Sequence, residues 1–232
     1  MKKGSITIIV AAYNEERFIA KTIQEIKRAV LGIFSDYEIL IFDDCSKDAT
    51  GAISDSLAKR NPRIKVIHNK VNGGQGYNFR EGIRLASKDY VVMLPGDAAI
   101  PEKSIRLLLS HAGKADLIST FLTNTDARPF FRRVLSFGFV RMLSILFGCR
   151  LKYYNGIVLY KTEVVKKVKM TTNSFAFTAE TVIRLLKQGY SYREIGITSR
   201  ENKGAITSLF RFKNLFGVFK TLLRLFLELR NN

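Results

Sequence analysis

The residues of this 232-residue chain best placed to do chemistry are carboxylates that follow short apolar runs. The run Tyr90-Val91-Val92-Met93-Leu94 breaks at Pro95-Gly96, and Asp97 stands at the break. Its length and β-branched content suit a strand buried on both faces. Proline and glycine end that strand, so Asp97 falls at a carboxyl edge, the side on which open α/β sheets bind ligands. A second run, Tyr37 to Phe42, ends at Asp43-Asp44, and a third, Ser5 to Ala12, ends at Tyr13-Asn14-Glu15-Glu16. Each cluster alone is compatible with turn chemistry, because Asp and Asn turn chains and cap helices. Three of them on neighbouring strands would converge on one crevice, where acidic groups can hydrogen-bond the ribose or base of a nucleotide.

The spacing predicts the elements that carry these ends. A strand over 5–12 leads to a helix ending near residue 31, with Phe18, Ile19, Ile23, Ile26 and Val30 at helical intervals, Asn14 as its N-cap and two acids in its first turn. A strand over 37–42, a helix over 48–61 and a strand over 63–68 follow. The glycine loop Asn72-Gly73-Gly74-Gln75-Gly76 precedes a helix over 77–86, and the Val91 strand comes next. Beyond it lie a helix over 102–112 and a strand over 116–121. Alternation of buried strands with helices predicts right-handed βαβ units and an α/β fold with a mostly parallel sheet covered on both faces.

Charge divides the chain. The net charge is +18; residues 1–126 hold 18 lysines and arginines against 15 acids, residues 127–232 hold 20 against 5. The first part is electrostatically ordinary, and the second is built to face something anionic. Cys45 and Cys149, far apart and outside any Cys-x-x-Cys spacing, suggest free thiols and neither a zinc site nor a disulfide framework. The first apolar stretch ends at Asn-Glu-Glu without a cleavage pattern, and no uncharged run reaches the roughly 18 residues a membrane span needs. A cytoplasmic chain, peripheral on the cytoplasmic face of a membrane, is expected.

Ala12-Tyr13-Asn14-Glu15-Glu16, Phe42-Asp43-Asp44-Cys45-Ser46-Lys47-Asp48-Ala49-Thr50, the glycine loop and Pro95-Gly96-Asp97 occur in that order. Together they resemble family 2 glycosyltransferases of the GT-A, Rossmann-like three-layer fold, particularly the dolichyl- or polyprenyl-phosphate mannosyltransferase branch, over roughly residues 5–105. The resemblance implies a nucleotide-diphosphate sugar donor, an inverting mechanism and a Mg²⁺ or Mn²⁺ cofactor. It places Ala12, Tyr13, Glu15 and Asp44 around the nucleoside with Asp43 beside them, and Gly74, Gly76 and Gly96 close to the donor. It matches Asp97 to the second acid of the family's Asp-x-Asp metal motif. Pro95 stands where the first acid would be, so a metal would have one protein carboxylate, the donor's phosphates and waters.

In the basic half, Arg128, Arg132, Arg133, Arg141, Arg150 and Lys152 occur without an intervening acid, around the nearly apolar stretch 134–147. That stretch suits a core helix or a membrane-facing one. In the resembling family, arginines before such a helix contact the phosphate of a lipid acceptor, which implies that job for Arg132 and Arg133. A strand over 153–160 follows, then a segment over 174–180 leading into a helix to residue 188. The resemblance makes Glu180 an acceptor-side carboxylate; a helix-start acid stabilised by the dipole is the plainer alternative. After a strand over 195–200, Arg200-Glu201-Asn202-Lys203-Gly204 resembles a family loop, so Arg200 and Lys203 are candidates for a phosphate.

The last element is a helix over 209–229 with Lys213, Lys220, Arg224 and Glu228 on one face and phenylalanines and leucines opposite, the pattern of an interfacial helix. Docking on the domain or on a second copy is the alternative. The expectation is a GT-A domain over 1–205 and a basic amphipathic helix over 206–232. Its reaction moves a hexose from a nucleotide sugar to a polyprenyl-phosphate-type lipid at an anionic membrane surface, with Asp97, Glu180, Arg132, Arg133 and Arg200 acting in it and no nucleic acid as partner. Transfer to a hydroxyl of a glycan, with Glu180 as base, and a retired transferase binding lipid or nucleic acid are the rivals. GDP-mannose, UDP-glucose and UDP-N-acetylglucosamine all remain open as donors.

Overall fold

The computed structural model describes residues 3–124, 130–200 and 212–230. In chain order the elements are β1 (Lys3–Ala12), α1 (Ile19–Val30), β2 (Phe34–Asp43), α2 (Thr50–Lys59), β3 (Ile64–His68), α3 (Gly74–Leu85), β4 (Tyr90–Pro95) and α4 (Glu102–Ser110). They continue with β5 (Leu117–Leu122), α5 (Phe130–Phe147), β6 (Val158–Lys161), α6 (Thr162–Val165), α7 (Phe177–Lys187), β7 (Tyr192–Ile197) and α8 (Phe212–Arg230). The strands form one sheet in the order β3-β2-β1-β4-β6-β5-β7. All neighbours are parallel except β6, which runs antiparallel to both β4 and β5.

Strand residues alternate between two cores. Ile6, Ile8, Val10, Ile39, Ile41, Val92 and Leu94 face the layer that holds α1 and α4. Ile9, Leu40, Phe42 and Val91 face the other layer, with Phe79 and Ile83 of α3, Ile183 of α7 and Leu222 of α8. Ile8 and Ile9 are fully buried on opposite faces, and each contributes about 2 kcal/mol by leaving water. This is the double coverage that an almost uninterrupted apolar strand requires.

Several boundaries differ from the sequence expectation. The chain turns at Asn14 before α1 begins, so Asn14 is not its N-cap. The glycine loop is itself the start of α3. β6 covers only the end of the expected 153–160 strand and runs one residue past it; before it, Gly156 lies against Thr120, where a Cβ would fall 1.9 Å from the carbonyl oxygen.

The terminal helix splits its apolar surface. Val218, Leu222 and Leu225 are buried against the domain, with Phe226 in edge contact with Phe147 of α5. Phe219, Leu223 and Leu227 remain exposed beside Lys220 and Arg224. Docking therefore uses one side of the helix and leaves a second apolar stripe outside. Among the described residues no helix is long and apolar enough to cross a membrane.

Candidate active site at the strand-end crevice

Strand order and register assemble the site. β2 and β3 lie on one side of β1 and β4 on the other, so the order reverses at β1, and a crevice opens beyond the carboxyl ends at such a switch point. The ends are level: Ala12 pairs with Asp43, and Ala11 pairs with Pro95. Residues 13–16, 44–50 and 96–99 consequently emerge side by side. Each emerging turn holds one non-glycine residue in the left-handed region: Asn14 at φ 57°, Cys45 at 64° and Ala98 at 53°. Such a conformation costs about 1–2 kcal/mol per residue, and here dense hydrogen bonding offsets it. Asn14 donates its amide to Ser46 Oγ (3.0 Å) and accepts from the Lys47 amide through Oδ1 (2.8 Å). The Glu15 amide donates to Thr50 Oγ1 at 2.7 Å, and the Ala49 amide donates to the Glu16 carboxylate at 3.1 Å.

Asp44 is buried and fully engaged. It accepts from Asn69 Nδ2 (2.8 Å), the Gly73 amide (2.8 Å) and the Gly74 amide (2.9 Å). It therefore caps α3, placing a negative charge on the positive end of the helix dipole. This limits the expectation that the glycine loop lies close to the donor: the amides of Gly73 and Gly74 already serve Asp44. Gly74 is needed for its φ of +79°. Gly76 is needed because a Cβ would come within 2.7 Å of Asn173 Cα.

Asp43 is also buried and faces away from this cap. It accepts from the Ser46 amide and pairs with His68 Nδ1 at 3.0 Å, while His68 Nε2 meets Asp55 at 3.0 Å. The bond to Asp43, then that to Asp55, raises the His68 pKa above its usual value. Asp43, like Asp44, is engaged within the framework, tying the turn after β2 to β3. Sequence reasoning missed His68 and Asn69, whose signal was their place at the end of β3, level with Asp43.

The open groups are Tyr13, 46% exposed, and the half-buried Glu15. Burial, then the charge of Asp97, then that of Asp48 push the Glu15 carboxyl up to about 7. Glu15 and Asp97 thus share one field across the crevice, and acidic charge gathered at a strand-end edge favours a cation there. Among the described residues no group of three or more His, Cys, Asp or Glu side chains could by itself enclose a metal. The donor set fits an ion held by Asp97 and completed by ligand oxygens and water, as hard divalent cations allow.

The Asp97 turn is held from two sides. Gly96 packs on β1, where a Cβ would meet the Ala11 oxygen and Ala12 Cβ at 3.0 Å. Thr22 of α1 donates to the Gly96 oxygen and accepts from the Ala98 amide. Arg200, expected at a phosphate, instead turns its guanidinium to Glu25 of α1 and to the Ala98 oxygen.

Glu180 requires a further correction. It is 1% exposed and accepts from the Thr171 hydroxyl and amide, the Thr172 amide and Arg184 at 3.1 Å. Arg184 passes the network on to Glu228 of α8 at 2.5 Å. Burial and these donors leave no face of the carboxylate for an acceptor; it anchors α7 to the terminal helix. Arg132 and Arg133 fall in the first turn of α5, and Lys203 lies outside the described residues.

A sheet whose order reverses at β1, with acid-bearing turns at its carboxyl edge, is an α/β architecture with a ligand-sized crevice at the switch point. Residues 7–168 match the Glycosyl transferase family 2 profile, and the chain belongs to that family. It is 35% identical over 112 residues to an uncharacterized glycosyltransferase of Bacillus subtilis, covering 48% of this chain and 31% of that one. Against the polyprenol monophosphomannose synthase of Mycolicibacterium smegmatis it is 27% identical over 215 residues, covering 87% of this chain and 80% of the relative. This chain thus spans about a third of the Bacillus relative and most of the mycobacterial one. The fold is shared with a mannosyltransferase from Pyrobaculum calidifontis solved with GDP-Man and Mn²⁺, at a TM-score of 0.66 and 18% identity, covering 94% of this chain and 64% of that one.

Proposed function

We propose that this chain transfers a hexose from a nucleotide-diphosphate sugar to the phosphate of a polyprenyl- or dolichyl-type lipid, with inversion. The observation that carries the reading is the level register of β2, β1 and β4, which brings Tyr13, Glu15, the Asp44-capped helix and Asp97 to one edge. Similarity to a polyprenol monophosphomannose synthase over most of both chains supports the acceptor class.

In this reading Tyr13 lies along the base, and Glu15, which carries a proton up to about pH 7 in the free protein, meets the ribose hydroxyls. Asp44 acts through α3, fixing the wall of the nucleoside site. A divalent ion, Mg²⁺ or Mn²⁺, would be held by Asp97 and would supply charge neutralisation for the departing diphosphate. A phosphate acceptor is anionic at neutral pH, so the chain must orient it and screen its charge rather than deprotonate it. The engagement of Glu180 with Thr171, Thr172 and Arg184 favours this acceptor over a hydroxyl, which needs a base. Arg132, Arg133 and Lys203 are proposed to draw in the acceptor phosphate.

The exposed stripes Phe219, Leu223 and Leu227 on α8 and Phe137, Met142 and Ile145 on α5 rest on an anionic bilayer, with Lys220, Arg224 and Arg141 beside them. The test is incubation of the purified chain with GDP-mannose, UDP-glucose or UDP-N-acetylglucosamine, Mn²⁺ and a polyprenyl phosphate. Formation of a glycosyl-phospholipid from one donor is the expected result. Transfer only to sugar hydroxyls would replace the acceptor class, and no stabilisation by any nucleotide would remove the reading.

A further inference from the structure

Asp97 is the acid that the turn after β4 brings to the crevice, and that turn contains a strained residue, Ala98 at φ 53°. A carboxylate on a strained turn holds an ion only if the turn is fixed from outside. The outside supports are specific. Thr22 Oγ1 donates to the Gly96 oxygen at 2.8 Å and accepts from the Ala98 amide at 3.0 Å, bracketing Asp97 from α1. One helical turn further on, Glu25 receives Arg200 Nη1 and Nη2 in a two-pronged pair, both at 2.9 Å. The same Nη1 donates to the Ala98 oxygen at 2.9 Å, and the Arg200 amide donates to the Ala99 oxygen at 2.7 Å. The Ala99 amide returns to Asp97 Oδ1 at 2.9 Å. Thr22 is 4% and Glu25 8% exposed, so the α1 side of the latch is shielded from water, while Arg200, its side chain 37% exposed, closes it from the outside.

From this geometry we infer that Thr22, Glu25 and Arg200 are positioning residues that hold Asp97 in metal-binding geometry, and that Arg200 is committed to this latch rather than to a ligand phosphate. The inference rests on the reading of Asp97 as the metal carboxylate. It also joins the segment that follows β7 to the turn that follows β4, since the carbonyls of two consecutive turn residues are bonded by Arg200.

The test is binding of GDP and UDP to the full chain with and without Mn²⁺, followed by calorimetry, for wild type, Glu25→Gln, Arg200→Gln, the double variant, Thr22→Val and Thr22→Ser. Metal-free nucleotide binding, which depends on Tyr13, Glu15 and the Asp44 cap, stays within about twofold, while the gain produced by Mn²⁺ falls ~10–100-fold in Glu25→Gln, Arg200→Gln and Thr22→Val. The double variant loses no more than either single one, because the two residues act as one unit. Thr22→Ser, which keeps the hydroxyl, retains the gain.

Three results overturn the inference. If Glu25→Gln tightens diphosphate binding, Arg200 was a phosphate ligand restrained by Glu25. If the Mn²⁺ gain survives in all variants, or if metal-free and metal-dependent binding fall together, the latch does not position Asp97. A wild type that binds neither nucleotide, with or without Mn²⁺, instead removes the underlying reading of the site. Should Glu25→Gln fail to fold, the Thr22→Val and Thr22→Ser pair decides the question alone.

Discussion

The two ends of this molecule handle exposed chemistry in opposite ways. At the carboxyl edge of β2, β1 and β4, the three turns are bonded to one another and to the helices beside them: Asn14 to Ser46 and Lys47, Glu15 to Thr50, Asp44 to Gly73 and Gly74, and Gly96 and Ala98 to Thr22. On α5 and α8 the surface is instead loosely committed, with Phe137, Ile145, Phe219 and Leu227 left in solvent among cations. The first region must hold atoms to fractions of an ångström, and strain is tolerated there because bonds surround it. The second presents area and charge, for which position matters less than contiguity. One region is closely bonded, the other presents open apolar and cationic area.

The sharpest way to break the comparison is at Asp97. Asp97→Ala should reduce sugar transfer by at least ~100-fold while shifting the melting temperature little, since the side chain is only part-buried; near-normal turnover would remove its role. Next in size is Asp44→Ala, which strands the Gly73 and Gly74 amides and the Asn69 amide group. A loss of about 2–4 kcal/mol in denaturant titration is expected, together with weaker nucleotide binding. A stable variant would mean that α3 is not held by this cap. Replacing Phe219, Leu223 and Leu227 together by serine should lower binding to mixed phosphatidylcholine–phosphatidylglycerol vesicles by ~10-fold or more in flotation, without loss of stability or of soluble nucleotide binding. Unchanged flotation would confine α8 to packing.

The smallest effect concerns His68. Its pKa is raised by Asp43 and Asp55, so the stability it adds is fully present below pH about 6.5 and is lost as pH rises through the elevated value. The melting temperature should decline across that interval in wild type and stay flatter in His68→Gln. A wild-type profile identical to that of the variant would show that the pair contributes nothing.

Most of the fold was legible because its signals were local. Three apolar runs ending in acids announced three parallel strands and the edge they share, and the structure keeps Glu15, Asp44 and Asp97 together there. What was not legible depended on partners distant in the chain. Glu25 looks like one polar position on an amphipathic helix, and its partner Arg200 lies 175 residues away. Asp44 resembles a ligand carboxylate until Gly73 and Gly74 are seen to turn their amides on it. Glu180 illustrates a local clue passed over: Arg184 stands one helical turn later, the spacing of an intrahelical ion pair. The terminal helix was ambiguous because apolar residues occupy more than one side, and only packing decides which side stays outside.

The antiparallel strand in the middle of the sheet has a consequence for how the molecule comes into being. Among the described residues β5 pairs only with β6 and β7, both of which follow it in the chain. During synthesis β3, β2, β1 and β4 can close as a four-stranded unit as soon as residue 95 has emerged. Leu117–Leu122 must then wait, apolar and without a strand partner, until β6 reverses direction and bridges it to β4. In that interval the unpaired apolar strand is exposed to aggregation, and it falls after the β2-β1-β4 edge has already formed.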